Sequence, residues 1–159
     1  MITEDATEFA AALPATGGLL GLDLGTKTIG IASSDPDRRL ASPVVTLKRG
    51  KFSVNSQEMQ ALINDRQTAG LVLGLPINMD GTSGPRAQSS RTFARNLTNA
   101  LGLPVLLWDE RLSTAAVERE LIGLDTSRKR RAEVIDQMAA SYILQGALDR
   151  LQAIKRQSS

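Results

Sequence analysis

The chain has 159 residues, 42% of them hydrophobic and 23% charged, the make-up of one globular domain with a sizeable core. It holds no cysteine and no histidine, which excludes disulfides, thiol nucleophiles, histidine general bases and ordinary zinc sites. A pI of about 9.3 against a formal net charge of only +2 is a mild lean towards anionic partners, and 3% aromatic residues leave little for a base-stacking platform.

Residues 1–17 carry Glu4, Asp5 and Glu8 and no basic residue, which argues against a signal peptide and suggests a frayed tail with a short helix around Glu8–Leu13. No apolar run is long enough to span a membrane. Leu19–Leu24, Thr28–Ser33 and about Leu40–Lys48 read as strands joined by the turn sequences Gly25-Thr26-Lys27 and Asp35-Pro36-Asp37, hence an antiparallel meander. A helix fits Val54–Arg66, with Met59, Leu62 and Ile63 apolar. Gly70–Gly74 is a short apolar run of the buried-strand type, leading into a loop over Leu75–Gly84. Pro85 opens the next helix, which runs to about Leu101 with Phe93, Ala94, Leu97 and Leu101 inward. Leu103–Trp108 is another buried strand, with Trp108 in the core, and it ends at Asp109-Glu110-Arg111. Ser113 or Thr114 can cap a short helix to about Leu121, Gly123–Ser127 is a break, and a long helix covers about Arg131–Lys155 before a tail at 156–159. The order predicts a single α/β domain over 18–155. Its mixed five-stranded sheet is a meander followed by parallel strands, with helices on both faces.

Three acids stand in awkward places. Alternation along the first strand puts Leu20, Leu22 and Leu24 on one face and Gly21, Asp23 and Gly25 on the other. A carboxylate between glycines packs poorly, yet it suits a large polar group approaching the backbone. Glu110 lies just past the carboxyl end of an apolar strand, where ligands gather in open α/β sheets; it reads equally as a solvated loop acid paired with Arg111. Asp136 falls on a helical wheel among Ala139, Ala140, Ile143 and Ala147, on the apolar face, where an ionised carboxylate needs a partner or a metal. Its nearness to the helix start explains an acid by the macrodipole but does not explain the face. Converging on one sheet edge, Asp23, Glu110 and Asp136 would form a metal-dependent phosphodiesterase site. With no histidine or thiolate to hand, its metal would be held by oxygen, which favours Mg²⁺ or Mn²⁺.

Several residues near that edge suit nucleic acid. Arg111 could bind a phosphate bidentately, or equally pair with Asp109 or Glu110. Lys27 offers a point charge or is a solvated turn lysine, and Asn78 and Asp80 suit substrate contact or simple turn building. The run Arg128-Lys129-Arg130-Arg131 opposes the macrodipole of the helix it begins, which tilts its reading towards binding phosphates.

The motifs Leu22-Asp23-Leu24-Gly25-Thr26-Lys27, Gly74-Leu75-Pro76-Ile77-Asn78-Met79-Asp80-Gly81, Asp109-Glu110-Arg111-Leu112-Ser113-Thr114 and Ile135-Asp136-Gln137-Met138-Ala139-Ala140 are weak singly. In this order and spacing, from about Gly18 to Leu151, the chain resembles the YqgF family, which has a ribonuclease H-like fold. The resemblance implies a cytoplasmic nuclease of bacterial type, described both as a Holliday junction resolvase and as a nuclease maturing the 5′ end of pre-16S ribosomal RNA. It also implies that Asp23, Glu110 and Asp136 are the acidic site positions. The expected partner is therefore structured RNA or branched DNA, with no membrane. RNA processing is preferred, because paired cuts at a junction normally demand a dimer and the chain shows no clear dimer stripe; a monomer or weak homodimer is expected.

Two other functions fit parts of the sequence. Asp23-Leu24-Gly25-Thr26-Lys27-Thr28 followed by Gly30 resembles the first phosphate loop of actin-like ATP-binding proteins, but the chain is too short for their two domains and has no second loop. A non-catalytic RNA-binding protein on the same fold is the other, and the three acids count against it.

Overall fold

In a computed structural model, residues 1–78, 80–112 and 128–158 are described, 128–136 through their backbone alone. The strands are β1 (Ile2–Thr3), β2 (Gly18–Leu24), β3 (Thr28–Ser34), β4 (Ala41–Lys48), β5 (Thr68–Leu75) and β6 (Val105–Asp109). The helices are α1 (Ala6–Ala12), α2 (Phe52–Arg66), α3 (Pro85–Leu101) and α4 (Arg128–Ser158), and a 3₁₀ turn covers Glu110–Leu112. They form one mixed sheet in the order β1-β6-β5-β2-β3-β4. The meander β2-β3-β4 is antiparallel, while β5 joins β2, β6 joins β5 and β1 joins β6 in parallel.

The alternation in β2 sorts two cores. Leu20, Leu22 and Leu24, with Leu71, Leu73 and Leu75 of β5, pack under Met59 and Ile63 of α2 and Phe93, Ala94 and Leu97 of α3. On the opposite face Leu19, Val72, Leu106 and Trp108 meet Phe9 of α1 and Ala140, Ile143, Leu144, Ala147 and Leu148 of α4. Strands covered on both faces need apolar residues at every position, which is why β5 and β6 read as continuous runs. Trp108 packs in this second core, where a Cβ on Gly146 would come within 3.1 Å of its indole nitrogen.

The sheet has six strands, not the expected five, because the first residues are not a frayed tail. Ile2 and Thr3 pair with Val105 and Leu106, and the Met1 ammonium donates to Thr98 Oγ1 at 2.8 Å. The Asp5 carboxylate caps α1 by accepting from the amides of Thr7 and Glu8, and Phe9 is fully buried. A two-residue strand has no readable period, and its partner lies about a hundred residues away in the chain, so nothing local announces it. The last helix continues through Ser158, so residues 156–158 are helical, not a tail, and it starts at Arg128, so the run Arg128-Lys129-Arg130-Arg131 forms its first turn. The expected short helix to Leu121 and the break at Gly123–Ser127 lie outside the described residues.

Candidate active site

Asp23 is the last residue but one of β2, with only 4% of its surface exposed. Its face is set by Gly21 two residues earlier. A Cβ there would lie 2.6 Å from Leu144 Cβ and 2.9 Å from the Ala140 carbonyl oxygen, so α4 rests directly on the strand backbone. Asp23 therefore emerges on the α4 face, at the carboxyl edge of the parallel strands.

Gly74 does for Glu110 what Gly21 does for the helix. Leu22 of β2 pairs with Leu73 of β5, and the register continued by one residue sets Gly74 beside Asp23. A Cβ on Gly74 would fall 2.5 Å from Ile143 Cδ1 and 2.9 Å from Glu110 Oε1. The Glu110 carboxylate thus occupies the space over Gly74 that any side chain would fill. Gly74 of β5 lies beside Asp23 on one side and carries the Glu110 carboxylate over its own backbone.

Helix α4 runs antiparallel to β2: Ala140 lies over Gly21, while Gln152, three turns on, donates to the carbonyls of Asp37 and Arg38 beside the start of the strand. One helical turn back from Ala140 is about 5.4 Å, and two residues forward from Gly21 is about 6.6 Å. The α4 backbone at position 136 is therefore level with Asp23. The side chains of Asp136 and of Arg128, Lys129, Arg130 and Arg131 lie outside the described residues, and among the described ones no group of three acids could hold a metal ion.

The residues at the rim divide clearly. Arg111 is held by Asp109, its Nε 3.1 Å from both carboxylate oxygens and its Nη2 2.7 Å from Oδ2, while Asp109 also accepts from the Arg111 amide. The hydrogen bonds from Arg111 hold the Asp109 carboxyl below the usual carboxylate range and raise the guanidinium in turn. Of the two sequence readings of Arg111, this geometry is the ion pair. Asn78 and Asp80 build their own turn. The Asn78 amide donates to the Thr82 carbonyl at 3.0 Å and its side chain to Thr82 Oγ1, and Asp80 accepts from the Thr82 amide at 2.9 Å and hydroxyl at 2.6 Å. Those Thr82 bonds, helped by the charge of Arg111, lower the Asp80 carboxyl. Met79 lies outside the described residues, and Lys27 is exposed on the β2–β3 turn.

Sequence reasoning missed Arg49. Its Nη1 donates to the Gly25 carbonyl at 2.7 Å and its amide to the Lys27 carbonyl at 2.9 Å, bracing the turn that follows Asp23. A lone arginine just past a strand carries no local signal of such a role.

A family model described as "RuvX: Holliday junction resolvase" matches residues 17–150. The chain belongs to the RuvX family, also called YqgF. A RuvX-family relative from a Bradyrhizobium species is 64% identical over 149 residues, covering 94% of this chain and 92% of its own. Another, from Paracoccus denitrificans, is 61% identical over 156 residues, covering 98% of this chain and 99% of its own. Both carry the name "Putative pre-16S rRNA nuclease". Among solved structures, Thermus thermophilus RuvC in complex with a Holliday junction substrate superimposes with a TM-score of 0.51 at 10% identity, over 86% of this chain and 96% of that one. That likeness is one of fold, and it agrees with the ribonuclease H-like sheet expected for a RuvX protein.

Proposed function

We propose that this RuvX protein is a metal-dependent endonuclease that hydrolyses phosphodiester bonds in nucleic acid, and that its substrate is the 5′ region of pre-16S ribosomal RNA. One observation carries the reading: the buried Asp23 lies at the carboxyl edge of the sheet, and the Glu110 carboxylate fills the space over Gly74 of the neighbouring strand. The near full-length identity with proteins named for pre-16S rRNA nuclease activity supports the choice of substrate.

Asp23, Glu110 and Asp136 would hold Mg²⁺ or Mn²⁺ in a two-metal arrangement. The donor set fits, since carboxylate oxygens are the hard ligands these ions prefer and the chain has no histidine or cysteine to compete. Bound there, such ions supply a nucleophilic water near neutral pH and offset charge on the phosphate. The chain's own part is geometric. Asp23 is fixed by a strand buried on both faces and Glu110 follows the end of β6, while Asp136 would be carried by a helix whose later turns are seated on Gly21. In the reaction the water oxygen forms its bond to phosphorus as the bond to the leaving sugar oxygen breaks, and the departing oxygen takes up a proton. The substrate implies action in the cytoplasm as a monomer or weak homodimer.

The family description favours one second reading, cleavage of four-way DNA junctions. A side-by-side assay on precursor 16S RNA and a four-way junction, with sedimentation for oligomeric state, decides between them. The expected result is Mg²⁺- or Mn²⁺-dependent cleavage of the RNA, abolished by EDTA. Asp23→Asn, Glu110→Gln and Asp136→Asn should each lose several orders of magnitude in rate while remaining folded. Full activity in EDTA overturns the metal mechanism, and symmetrical cutting of the junction alone overturns the substrate. Normal cleavage by Asp136→Asn removes that residue from the site.

A further inference from the structure

The carboxyl edge of the sheet has a second side. Beyond Asp23, β2 ends at Leu24 and the chain turns at Gly25-Thr26 onto the face covered by α2 and α3. Two hollows open there. One of about 230 Å³ is lined by Gly25, Thr26, Arg49, Arg86 and Ser90, among others. The other, of about 460 Å³, is lined by Gln88, Asn55 and Asn96 along with Phe93. Arg49, Pro85 and Ser89 line both, so the two are parts of one trough. Among the described residues, no carboxylate lines either part.

The cations of this trough are not neutralised by any described residue. The Arg49 guanidinium donates only to the Gly25 carbonyl and, at 3.4 Å, to Ser89 Oγ. Arg86 is exposed and makes no hydrogen bond or ion pair with any described residue. Two guanidinium groups among hydroxyls and amides, with no acid among the lining residues, form a site for a multivalent anion with oxygen acceptors. Phe52 and Phe93 also line the trough, and its two guanidinium groups suit the phosphates of a sugar–phosphate backbone.

Resting on the nuclease reading above, we infer that this trough carries the phosphodiester backbone of the substrate strand on one side of the cut. The strand crosses the sheet edge from Asp23 on the α4 face to Arg49 and Arg86 on the α2–α3 face. Gly25, which lines the trough, is two residues past Asp23 in the chain, so the trough opens directly beyond the site. Arg49 also braces the carbonyl of Gly25, so the residue that grips the strand steadies the turn beside Asp23.

Binding is the test, measured by fluorescence anisotropy of a short labelled single-stranded RNA and a DNA of the same sequence. EDTA in the buffer makes the result independent of catalysis. Arg86→Ala is the cleanest variant because that side chain holds nothing in the fold. Arg95→Ala, on the same helix but outside the trough, removes the same charge. Arg86→Ala should raise Kd by about tenfold. It should also reduce the salt slope of log K by about 0.7 for each phosphate that Arg86 neutralises. Arg86→Lys should restore most of the slope, Arg49→Gln should match Arg86→Ala, and Arg95→Ala should leave both quantities near those of the unmodified protein. Equal loss in Arg86→Ala and Arg95→Ala, or no change in either, overturns the trough. A protein that cleaves precursor RNA but shows that result keeps its nuclease reading and loses only this path. Failure of the unmodified protein to bind either strand overturns the trough, and cleavage of precursor RNA separately decides the nuclease reading.

Discussion

Gly21→Ala probes the device that brings α4 to Asp23. The added methyl would lie 2.6 Å from Leu144 Cβ, where ordinary contact begins at 3.4 Å, so the helix must lift by about 0.8 Å or the strand must bend. The second neighbour, the Ala140 carbonyl at 2.9 Å, is backbone and cannot rotate away. Overpacking of this kind costs about 1–3 kcal/mol, and contact with a Cβ and a carbonyl points to the upper part of that range. For a chain of this length each kcal/mol moves the melting temperature by about 2–4 °C, so a fall of about 4–12 °C is expected by circular dichroism. Lifting α4 also carries position 136 away from Asp23, and a misplacement near 1 Å costs about a hundredfold in rate, so cleavage of precursor RNA should fall by between about ten- and a hundredfold. Gly50→Ala is the control. A Cβ there meets nothing within 4 Å, and it should be neutral or slightly stabilising. If Gly21→Ala melts within about 1 °C of Gly50→Ala and cleaves at the same rate, the close seating of α4 is not what builds the site.

Phe9→Ala should cost about 3–5 kcal/mol, a fall of about 6–20 °C in melting temperature, because the ring is fully buried between α4 and the sheet; a near-native melt would mean that the first residues do not contribute to the core. The Asp109 carboxyl is depressed by Arg111, so its stabilisation is present above the unfolded-state pKa and is lost as pH falls through the lower folded-state value. Asp109→Asn should therefore lose less of its urea midpoint between pH 5 and pH 2 than the unmodified protein. The difference should be under about 1 kcal/mol since the pair is partly exposed, and equal losses would show the pair to be energetically idle. Replacing Arg128, Lys129, Arg130 and Arg131 with Ser should flatten the salt dependence of RNA binding by up to about three units of slope if all four touch phosphate, with far less change in turnover at saturation. An unchanged slope would reduce the run to a solvated helix start.

Periodicity and composition carried much of the fold and the key to the site. Alternation in Leu19–Leu24 marked which face each residue of β2 would take, a property of consecutive residues, and Pro85 and the run to Leu101 marked α3 to the residue for the same reason. The glycines around Asp23 read as room for a large polar group, whereas Gly21 instead seats α4 on the strand. What a residue touches across the fold is not written locally. Ile2 and Thr3 became a strand only because β6 presents an open edge, and Phe9 became core only because Gly70 and α4 leave a slot for its ring. Arg111 reads equally as phosphate ligand or ion-pair partner until the 3₁₀ turn after β6 folds its guanidinium back onto Asp109. The placing of Glu110 over the strand beside Asp23 is likewise tertiary. It depends on the register that sets Gly74 between their strands, and that register is fixed by the packing of both sheet faces at once. Sequence determined the chemistry this chain brings, carboxylates and cations without histidine or thiol. The tertiary structure decided which of those groups meet, because convergence is set by long-range packing of strands and helices far apart in the chain.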